Sequence, residues 1–332
     1  MAQPARSIAR FSFLAEDNPH PVAGYIVHRV LSSIPVLLFV SFVTFGLVRL
    51  APGDPVLIVL GGHKVDPTTL ATLREQFGLV GDPISQYIAW LGRALTGDFG
   101  QSFRLRQEVT SLLVERVPIT LQLVALSMVV AVAIAIPLGI VQARKRDSVT
   151  DYVGSLAALV GLSIPVYFAA MVGVLVFAVW LRWLPAFGSG DSGPDRLRHL
   201  ILPAGALALG TIALTSRMTR SAMIEALSTD YIEAARAKGL PEWMILVKHA
   251  FRNALIPVLT VTSLQVGFLL VGSVLVETTM GLGGLGSLIT DAIQNRDYPV
   301  IQAAVLLLTV AFTLINLLTD ILYAFIDPRI RY

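Results

Sequence analysis

Long apolar runs alternate with short polar segments along most of the chain, and this pattern predicts membrane-spanning helices. A span needs about 20 predominantly apolar residues. Stretches near this length occur at 25–49, 119–141, 155–181, 200–217, 254–276 and 300–326. The fourth is the weakest, because it is short and contains Pro203, Gly205 and Gly210. Neighbouring helices can satisfy the backbone groups that proline and glycine free, so we predict an all-α polytopic membrane protein with six transmembrane helices.

The composition agrees with this class. Hydrophobic residues make up 55% of the chain and charged residues 14%, whereas a soluble domain carries about 25% charge. There is no cysteine, which excludes disulfides and thiolate metal sites, and no pair of the five histidines has the spacing of zinc ligands. A net charge of +3 does not suggest a nucleic-acid partner. We therefore expect the lipid bilayer as the surroundings, and neither a metal nor a cofactor bound by this chain.

Lysine and arginine near the span ends predict the orientation, since cytoplasmic loops carry an excess of both. Basic residues concentrate in the loops 142–151 and 217–252 and in both terminal segments. We therefore expect residues 1–24 to form a cytoplasmic arm, not a secretory signal peptide, and 327–332 to form a cytoplasmic tail. Segment 50–118 then lies outside, because long loops translocate largely regardless of their charge.

The external segment 50–118 contains turn signals between short helix-like pieces. Residues 67–77 form one such piece, with Pro67 near its start and Gly78 just after its end. We predict a small folded extracytoplasmic segment and not a linker.

The cytoplasmic loop 217–252 predicts a helical hairpin. Residues 220–238 follow a helical pattern that places four residues on one face: Leu227, Tyr231, Ala234 and Lys238. Gly239 stands where a helix C-terminal glycine belongs, and Pro241 suits the first turn of a second helix. The second helix would present Trp243, Val247, Ala250 and Phe251.

Two interpretations of this hairpin remain open from the residues alone. In the first, small Ala234 and Ala235 let a partner's backbone approach closely, Glu233 offers a charge to a basic groove, and Gly239 permits the turn. The hairpin would then convert a partner's movement into movement of the spans. In the second, it is an amphipathic interfacial hairpin in which Glu233 pairs with Arg236 at i,i+3 and Gly239 only ends a helix.

Several separate stretches resemble one family, the dipeptide/oligopeptide/nickel permeases of ABC importers. Residues Tyr231 to Pro257 resemble the EAA loop through which these permeases dock on their ATPase. Glu233, Ala234, Ala235 and Gly239 lie at its centre. The other stretches that carry the resemblance are Leu-Ala-Pro-Gly-Asp-Pro at 50–55, Gly-Asp-Phe-Gly-Gln-Ser-Phe at 97–103, Arg-Asp-Tyr-Pro at 296–299 and the closing 316–331. The resemblance runs from about residue 25 to the end, in the family's order. It departs at 276–286, where relatives have an aromatic residue near Met280 and a proline at Gly283.

The resemblance implies a permease subunit of an ATP-driven importer in the bacterial cytoplasmic membrane. Residues 119–326 would form a type I importer transmembrane domain and half of a translocation path, with peptides as the best guess of cargo. Partners would be a second homologous permease, two cytoplasmic ATPases or one fused, and an external substrate-binding protein, with ATP and magnesium bound by the ATPases. The expected ATPase-docking residues are Glu233, Ala234, Ala235, Arg236, Lys238 and Gly239.

Polar groups at membrane depth are candidates for lining the path. They are Ser163, Tyr167, Thr262, Ser263, Gln265 and Ser273. The plainer interpretation is hydrogen bonding between helices. Glu277, at the outer end of the fifth span, is expected at the membrane interface and not buried. The tryptophans Trp90, Trp180 and Trp183 are expected to anchor at the interface as well.

Two other function classes fit the sequence less well. The chain has no Walker A motif, so energy must come from a partner or from an ion gradient. An ion-coupled secondary transporter needs ionisable groups within the membrane, and the middles of the predicted spans are almost free of them. An integral membrane enzyme such as a protease would need a metal cluster or an activated serine at depth, and the sequence suggests neither.

Overall fold

The computed structural model describes residues 21–50, 66–68, 70, 72 and 81–326, and the elements within them are helical, with no β-strand. The helices are α1 Pro21–Leu50, α2 Pro83–Leu95, α3 Val109–Arg144, α4 Val149–Ser163, α5 Val166–Gly173, α6 Gly193–Leu227, α7 Asp230–Ala237, α8 Glu242–Met244, α9 Phe251–Met280, α10 Leu285–Gln294 and α11 Tyr298–Ile326. Two π-helical stretches, Val174–Trp180 and Ile245–Ala250, continue α5 and join α8 to α9.

Five helical stretches of the described chain are long and apolar enough to cross a membrane, and a bent pair makes a sixth. The prediction of an all-α polytopic protein with six spans is confirmed in this form. The third span, predicted as one helix over 155–181, is wrong in shape, because the chain bends by 106° between Val149–Ser163 and Val166–Trp180. The cause is local: Pro165 disfavours a helical conformation at the residue before it, and Ile164 is extended, with φ −79° and ψ 122°.

The fourth span is also longer than predicted, since α6 has 35 residues. Its apolar window is short because small and hydroxyl residues line the face that packs against α3. The two helices approach closely at Gly139 of α3, where an added Cβ would lie 2.6 Å from the carbonyl oxygen of Ser216. Buried Ala131 and Ala135 continue this small-residue face of α3. Such faces let membrane helices pack by close contact, so α3 and α6 form the centre of the fold.

The described part of the segment between α1 and α3 is held to the helices by two sets of contacts. The carboxyl group of Asp297 accepts hydrogen bonds from the Ser102 hydroxyl (2.5 Å) and from the backbone N–H groups of Phe103 (3.0 Å) and Arg104 (3.3 Å). Two of the stretches that carry the family resemblance therefore touch each other. The expectation that Trp90 anchors at the interface is wrong, because it is buried against Phe45 and holds α2 on α1.

The remaining expectations concern two tryptophans, the predicted helix in the segment after α1 and the two ends of the chain. Trp180 and Trp183 are exposed, as interface anchors would be. The predicted helix 67–77 lies mostly outside the described residues, as do the arm 1–24, apart from its last four residues, and the tail 327–332.

Candidate functional site: the helical hairpin and the polar groups of the spans

The hairpin begins with a break that the sequence pattern did not predict. The continuous helix expected over 220–238 is wrong: α6 ends at Leu227 and α7 begins at Asp230. The hydroxyls of Ser228 and Thr229 donate to the carbonyls of Glu225 (2.8 Å) and Ala226 (2.6 Å). These bonds satisfy the last turn of α6 and compete with continuation of the helix. Because of this break, Leu227 does not share a helix with Tyr231, Ala234 and Lys238. The buried residues of α7 are Ile232 and Ala235.

The turn at Gly239 is confirmed as a helix stop with left-handed backbone, at φ +74°. The N–H of Leu240 donates to the carbonyl of Ala235 (3.3 Å), and the N–H of Gly239 donates to that of Arg236 (2.9 Å). This pair of bonds is the Schellman motif. Pro241 then precedes α8, as expected. The hairpin therefore has a fixed shape set by its own backbone bonds.

The predicted docking residues fall into two groups. Glu233, Ala234, Arg236, Lys238 and Gly239 are exposed. Ala235 is 7% exposed and belongs to the buried cluster under the hairpin, so it supports α7 from inside and offers little surface to a partner.

The charges of the hairpin surface do not pair as the second sequence interpretation expects. Arg236 pairs with Glu242 across the turn at 3.2 Å, and the expected pairing with Glu233 is not formed among the described residues. Trp243 and Val247 are exposed beside these charges. Together with the exposed residues of α7, they form a mixed surface that we call the hairpin tip, residues 233–247.

The hairpin is joined firmly to two spans. Ile245 and Leu246 of the π-helical stretch are buried in the same cluster as Ile232. The Asn253 amide donates to the Tyr231 hydroxyl at 2.6 Å, which links α7 to the start of α9. A displacement of the hairpin tip would therefore be passed to α6 and α9 together.

An ion pair near the same end of α6 was not foreseen from the sequence. The Arg220 guanidinium donates two hydrogen bonds of 2.6 Å to the two carboxyl oxygens of Asp151, and the N–H of Asp147 donates a third, of 3.1 Å. Asp151 is 3% exposed and Arg220 26%. The pair fixes the start of α4 to the part of α6 that leads into the hairpin.

Replacing Asp151 with asparagine is expected to destabilise the protein by about 2 kcal/mol, because hydrogen bonds to a charged group are lost around a largely buried arginine. The measurement is the thermal unfolding midpoint in detergent. Asp147→Asn is the matched control, since its pair with Arg146 is exposed on both sides and such pairs contribute little. An equal shift for the two variants would contradict the assignment of Arg220 to Asp151.

Glu277 is the second unforeseen feature, and its predicted place at the membrane interface is wrong. Its side chain is 0% exposed. It accepts hydrogen bonds from the Thr120 hydroxyl (2.7 Å) and from the N–H groups of Gly286 (2.7 Å) and Ser287 (3.3 Å). The carboxyl group thus satisfies N–H groups at the start of α10, which otherwise lack partners, and ties α10 to α3.

Glycines make room for this carboxyl group and explain the departure at 276–286. An added Cβ on Gly284 would lie 2.5 Å from Glu277, and one on Gly286 2.5 Å from the Cα of Val274. Gly283, where the family resemblance leads us to expect proline, has φ +69°, which proline cannot adopt. Its carbonyl accepts a hydrogen bond from Arg116 at 2.8 Å. The local loop therefore takes a shape that the proline would forbid.

The six candidate path residues are not equivalent. The hydroxyls of Ser163, Thr262, Ser263 and Ser273 all donate to carbonyls of their own helices, at 2.6–2.9 Å. Tyr167 is half exposed near the bend. Gln265 is 8% exposed and lines a cavity of about 390 Å³. Thr211 of α6, which the sequence analysis missed, lines the same cavity.

Comparison with known proteins decides the family. Residues 135–332 match the family described as the binding-protein-dependent transport system inner membrane component, and residues 22–124 match its N-terminal membrane component. The first match covers more than half of the chain. The chain belongs to this family of ABC importer permeases.

Similar permeases include curated proteins of nearly the same length. A dipeptide transport system permease protein, DppB of Alkalihalophilus pseudofirmus, is 40% identical, over 93% of this chain and 99% of its own. The oligopeptide transport system permease protein AppB of Bacillus subtilis is 40% identical, over 94% and 100%. A putative peptide transport system permease protein of Brucella abortus is 42% identical, over 94% and 100%.

The permease fold is also seen in a solved structure. An inward-facing structure of the MetNI methionine ABC transporter matches with a TM-score of 0.53 and 22% identity, over 65% of this chain and 96% of that one. At this identity the match supports the fold alone. It is consistent with the family assignment and with a multi-pass protein of the inner membrane.

Proposed function

We propose that the chain is a permease subunit of an ATP-driven importer of peptides. The observation that carries this proposal is the identity of 40–42%, over more than nine-tenths of both chains, to permeases named for dipeptide, oligopeptide or peptide transport. Membership of a binding-protein-dependent family implies an ATPase and a substrate-binding protein as partners. The finer arrangement proposed is a second homologous permease, two ATPases or one fused, and an external binding protein, with both termini of this chain in the cytoplasm.

The hairpin tip is proposed as the surface that docks on an ATPase. Its shape supports this, because an exposed helix ending in a rigid glycine turn presents Glu233, Ala234 and Lys238 in fixed positions. ATP and magnesium would be bound by the ATPase, and this chain would remain non-catalytic. Trp243 and Val247 add exposed apolar surface beside the charges, as a protein contact needs at its centre.

The coupling mechanism follows from how the hairpin is attached. ATP binding would close the ATPases and draw together the hairpins of the two permeases. The buried cluster under α7 and the Asn253–Tyr231 bond would carry this movement to α6 and α9. The Asp151–Arg220 pair would make α4 follow α6. The path would then open outward to the loaded binding protein, and hydrolysis would reverse the movement.

An ion-coupled secondary transporter is the alternative, and Glu277 is the described group that bears on it. Both of its carboxyl oxygens already accept hydrogen bonds, and one accepts two. A carboxyl group that must exchange a proton or ion during transport needs access to an aqueous pathway, and Glu277 is fully buried. Its geometry therefore favours a structural role.

Uptake by proteoliposomes tests the proposed function. The complex purified with its ATPase and second permease should import a radiolabelled peptide only with ATP inside and the binding protein outside. The control is this chain alone with an imposed proton or sodium gradient, which should give no uptake. Gradient-driven uptake by the chain alone would contradict the proposal.

A further inference from the structure

We propose that the cavity between the α4–α5 bend, α6 and α9 is a transient binding site for a peptide group of the cargo, contacted by Gln265 and Thr211. The proposal rests on the function proposed above and names a contact within the path. The cavity measures about 390 Å³, within the range of about 300–1,000 Å³ typical of small-molecule sites.

The polar groups of Gln265 and Thr211 are available for a ligand. Gln265 is 8% exposed and Thr211 is 3% exposed, and both line the cavity. Neither side chain hydrogen-bonds to any residue that the structure describes. The polar atoms of the two side chains are not fully enclosed by protein, unlike the Thr215 hydroxyl. They therefore remain reachable from the cavity, where a ligand can form hydrogen bonds with them.

Other hydroxyls at this depth show the contrast. Thr262 lies three residues before Gln265 on α9, and its hydroxyl donates to the carbonyl of Val258 at 2.7 Å. The hydroxyl of Thr120, in a separate cavity of about 260 Å³, is already bonded to Glu277 and Leu285. Bonding within the protein accounts for these two groups. Thr215, one turn after Thr211, has a fully enclosed hydroxyl with no partner among the described residues, and Gln265 and Thr211 differ from it because they line the cavity.

The chemistry of the cavity selects a neutral group that both donates and accepts hydrogen bonds. None of the described residues that line it is charged, so a carboxylate or ammonium would be desolvated there without a partner, at high cost. A glutamine amide offers both a donor and an acceptor, and a threonine hydroxyl does likewise. A peptide unit presents the complementary pair. Gly161, Gly210 and Gly272 on three sides leave the cavity open to a ligand backbone.

The site should be weak, which suits a transporter that must release its cargo. Two neutral hydrogen bonds contribute little net free energy. The external binding protein would set the apparent affinity, and the cavity would lower the energy of cargo during passage. Loss of the site should therefore lower the amount of peptide taken up per ATP hydrolysed and leave the apparent KM for peptide unchanged.

The test uses the complete reconstituted complex with its binding protein. Gln265→Leu and Thr211→Val should each lower peptide uptake per ATP hydrolysed about two- to tenfold, the range expected for one lost hydrogen bond. Apparent KM and the ATPase stimulation by loaded binding protein should stay at wild-type values. Thr211→Ser keeps the hydroxyl and should transport normally. Thr262→Val is the matched control, because it removes a buried hydroxyl that does not serve the cavity.

A second measurement is independent of turnover. The chain has no cysteine, so Leu209→Cys places a single thiol in this chain at the cavity wall. Millimolar peptide should slow its modification by a small maleimide, and the slowing should be lost with Gln265→Leu.

The outcomes separate this inference from the function on which it rests. Normal uptake per ATP in Gln265→Leu and Thr211→Val, an equal loss in Thr262→Val, or protection by lipid in place of peptide would overturn the cavity site. The proposed function would survive each of these results. Failure of the wild-type complex to import peptide with ATP would overturn the proposed function itself.

Discussion

Replacing Gly239 with aspartate should leave membrane insertion intact and abolish transport. Gly239 has φ +74°, a conformation that costs a residue with a side chain about 1 kcal/mol or more. Its N–H and that of Leu240 close the turn that ends α7. The substitution also places a charge on the surface proposed to meet the ATPase. We expect at least a tenfold loss of ATP-driven uptake in proteoliposomes, the scale of about 1.4 kcal/mol in coupling free energy.

The variants Gly239→Asn and Gly239→Val distinguish the effect of the turn's backbone shape from the effect of its contact with the ATPase. Beyond its chain neighbours, no described residue has an atom within 4 Å of a Cβ placed at Gly239, so clashes with the described part of the permease play no part. Asparagine tolerates left-handed backbone and valine does not. If only the shape of the turn matters, Gly239→Asn should transport and Gly239→Val should fail. If the ATPase packs against the turn, both should fail while expression and membrane insertion remain normal. Normal uptake in all three variants would show that the turn has no role in docking.

Replacing Glu277 with leucine should cause the largest loss of stability, about 3 kcal/mol. The substitution leaves the N–H groups of Gly286 and Ser287 and the hydroxyl of Thr120 buried without an acceptor, and each such group costs about 1–3 kcal/mol. The start of α10 should loosen. Hydrogen exchange of the amides at 285–288, together with the unfolding midpoint in detergent, measures this effect.

Glu277→Gln and Thr279→Leu are the controls. Glutamine keeps an acceptor for Gly286 and Ser287, so its effect should be smaller. Among the described residues, the Thr279 hydroxyl donates to the carbonyl of Leu275 in its own helix, at 2.7 Å, so its loss should leave α10 protected. If Glu277→Leu folds normally but loses an uptake that an ion gradient drives in the wild-type protein, the carboxyl group would be a coupling site and not a helix cap.

The spans could be predicted from the sequence because each depends on local apolar runs. The bend in the third span was not predicted, although it had a local signal, since Pro165 disfavours a helical conformation at the residue before it. The length of α6 was underestimated, because its small and hydroxyl residues are buried by α3 and average hydropathy does not register that contact. The break before α7 had a local signal that was passed over: Ser228, Thr229 and Asp230 form a typical helix start.

The parts of the site that could not be predicted from the sequence are contacts between residues far apart along the chain. Thr120 and Glu277 are 157 positions apart, and Asp151 and Arg220 are 69 apart. Nothing near Glu277 in the sequence shows that a neighbouring helix supplies a hydroxyl, so its burial could not be inferred from its position at a span end. The same holds for Thr211 and Gln265, which share a cavity only because α6 packs against α9.

A photochemical cross-link tests whether the hairpin tip docks on an ATPase. Ala234→Cys introduces a single thiol in this chain at an exposed position of α7, to which a benzophenone maleimide can be attached in the purified complex. Ser111→Cys, exposed near the start of α3, is the control. Irradiation should join this chain to the ATPase from position 234 and not from position 111. A complex that transports normally but gives no ATPase adduct from position 234 would contradict the account.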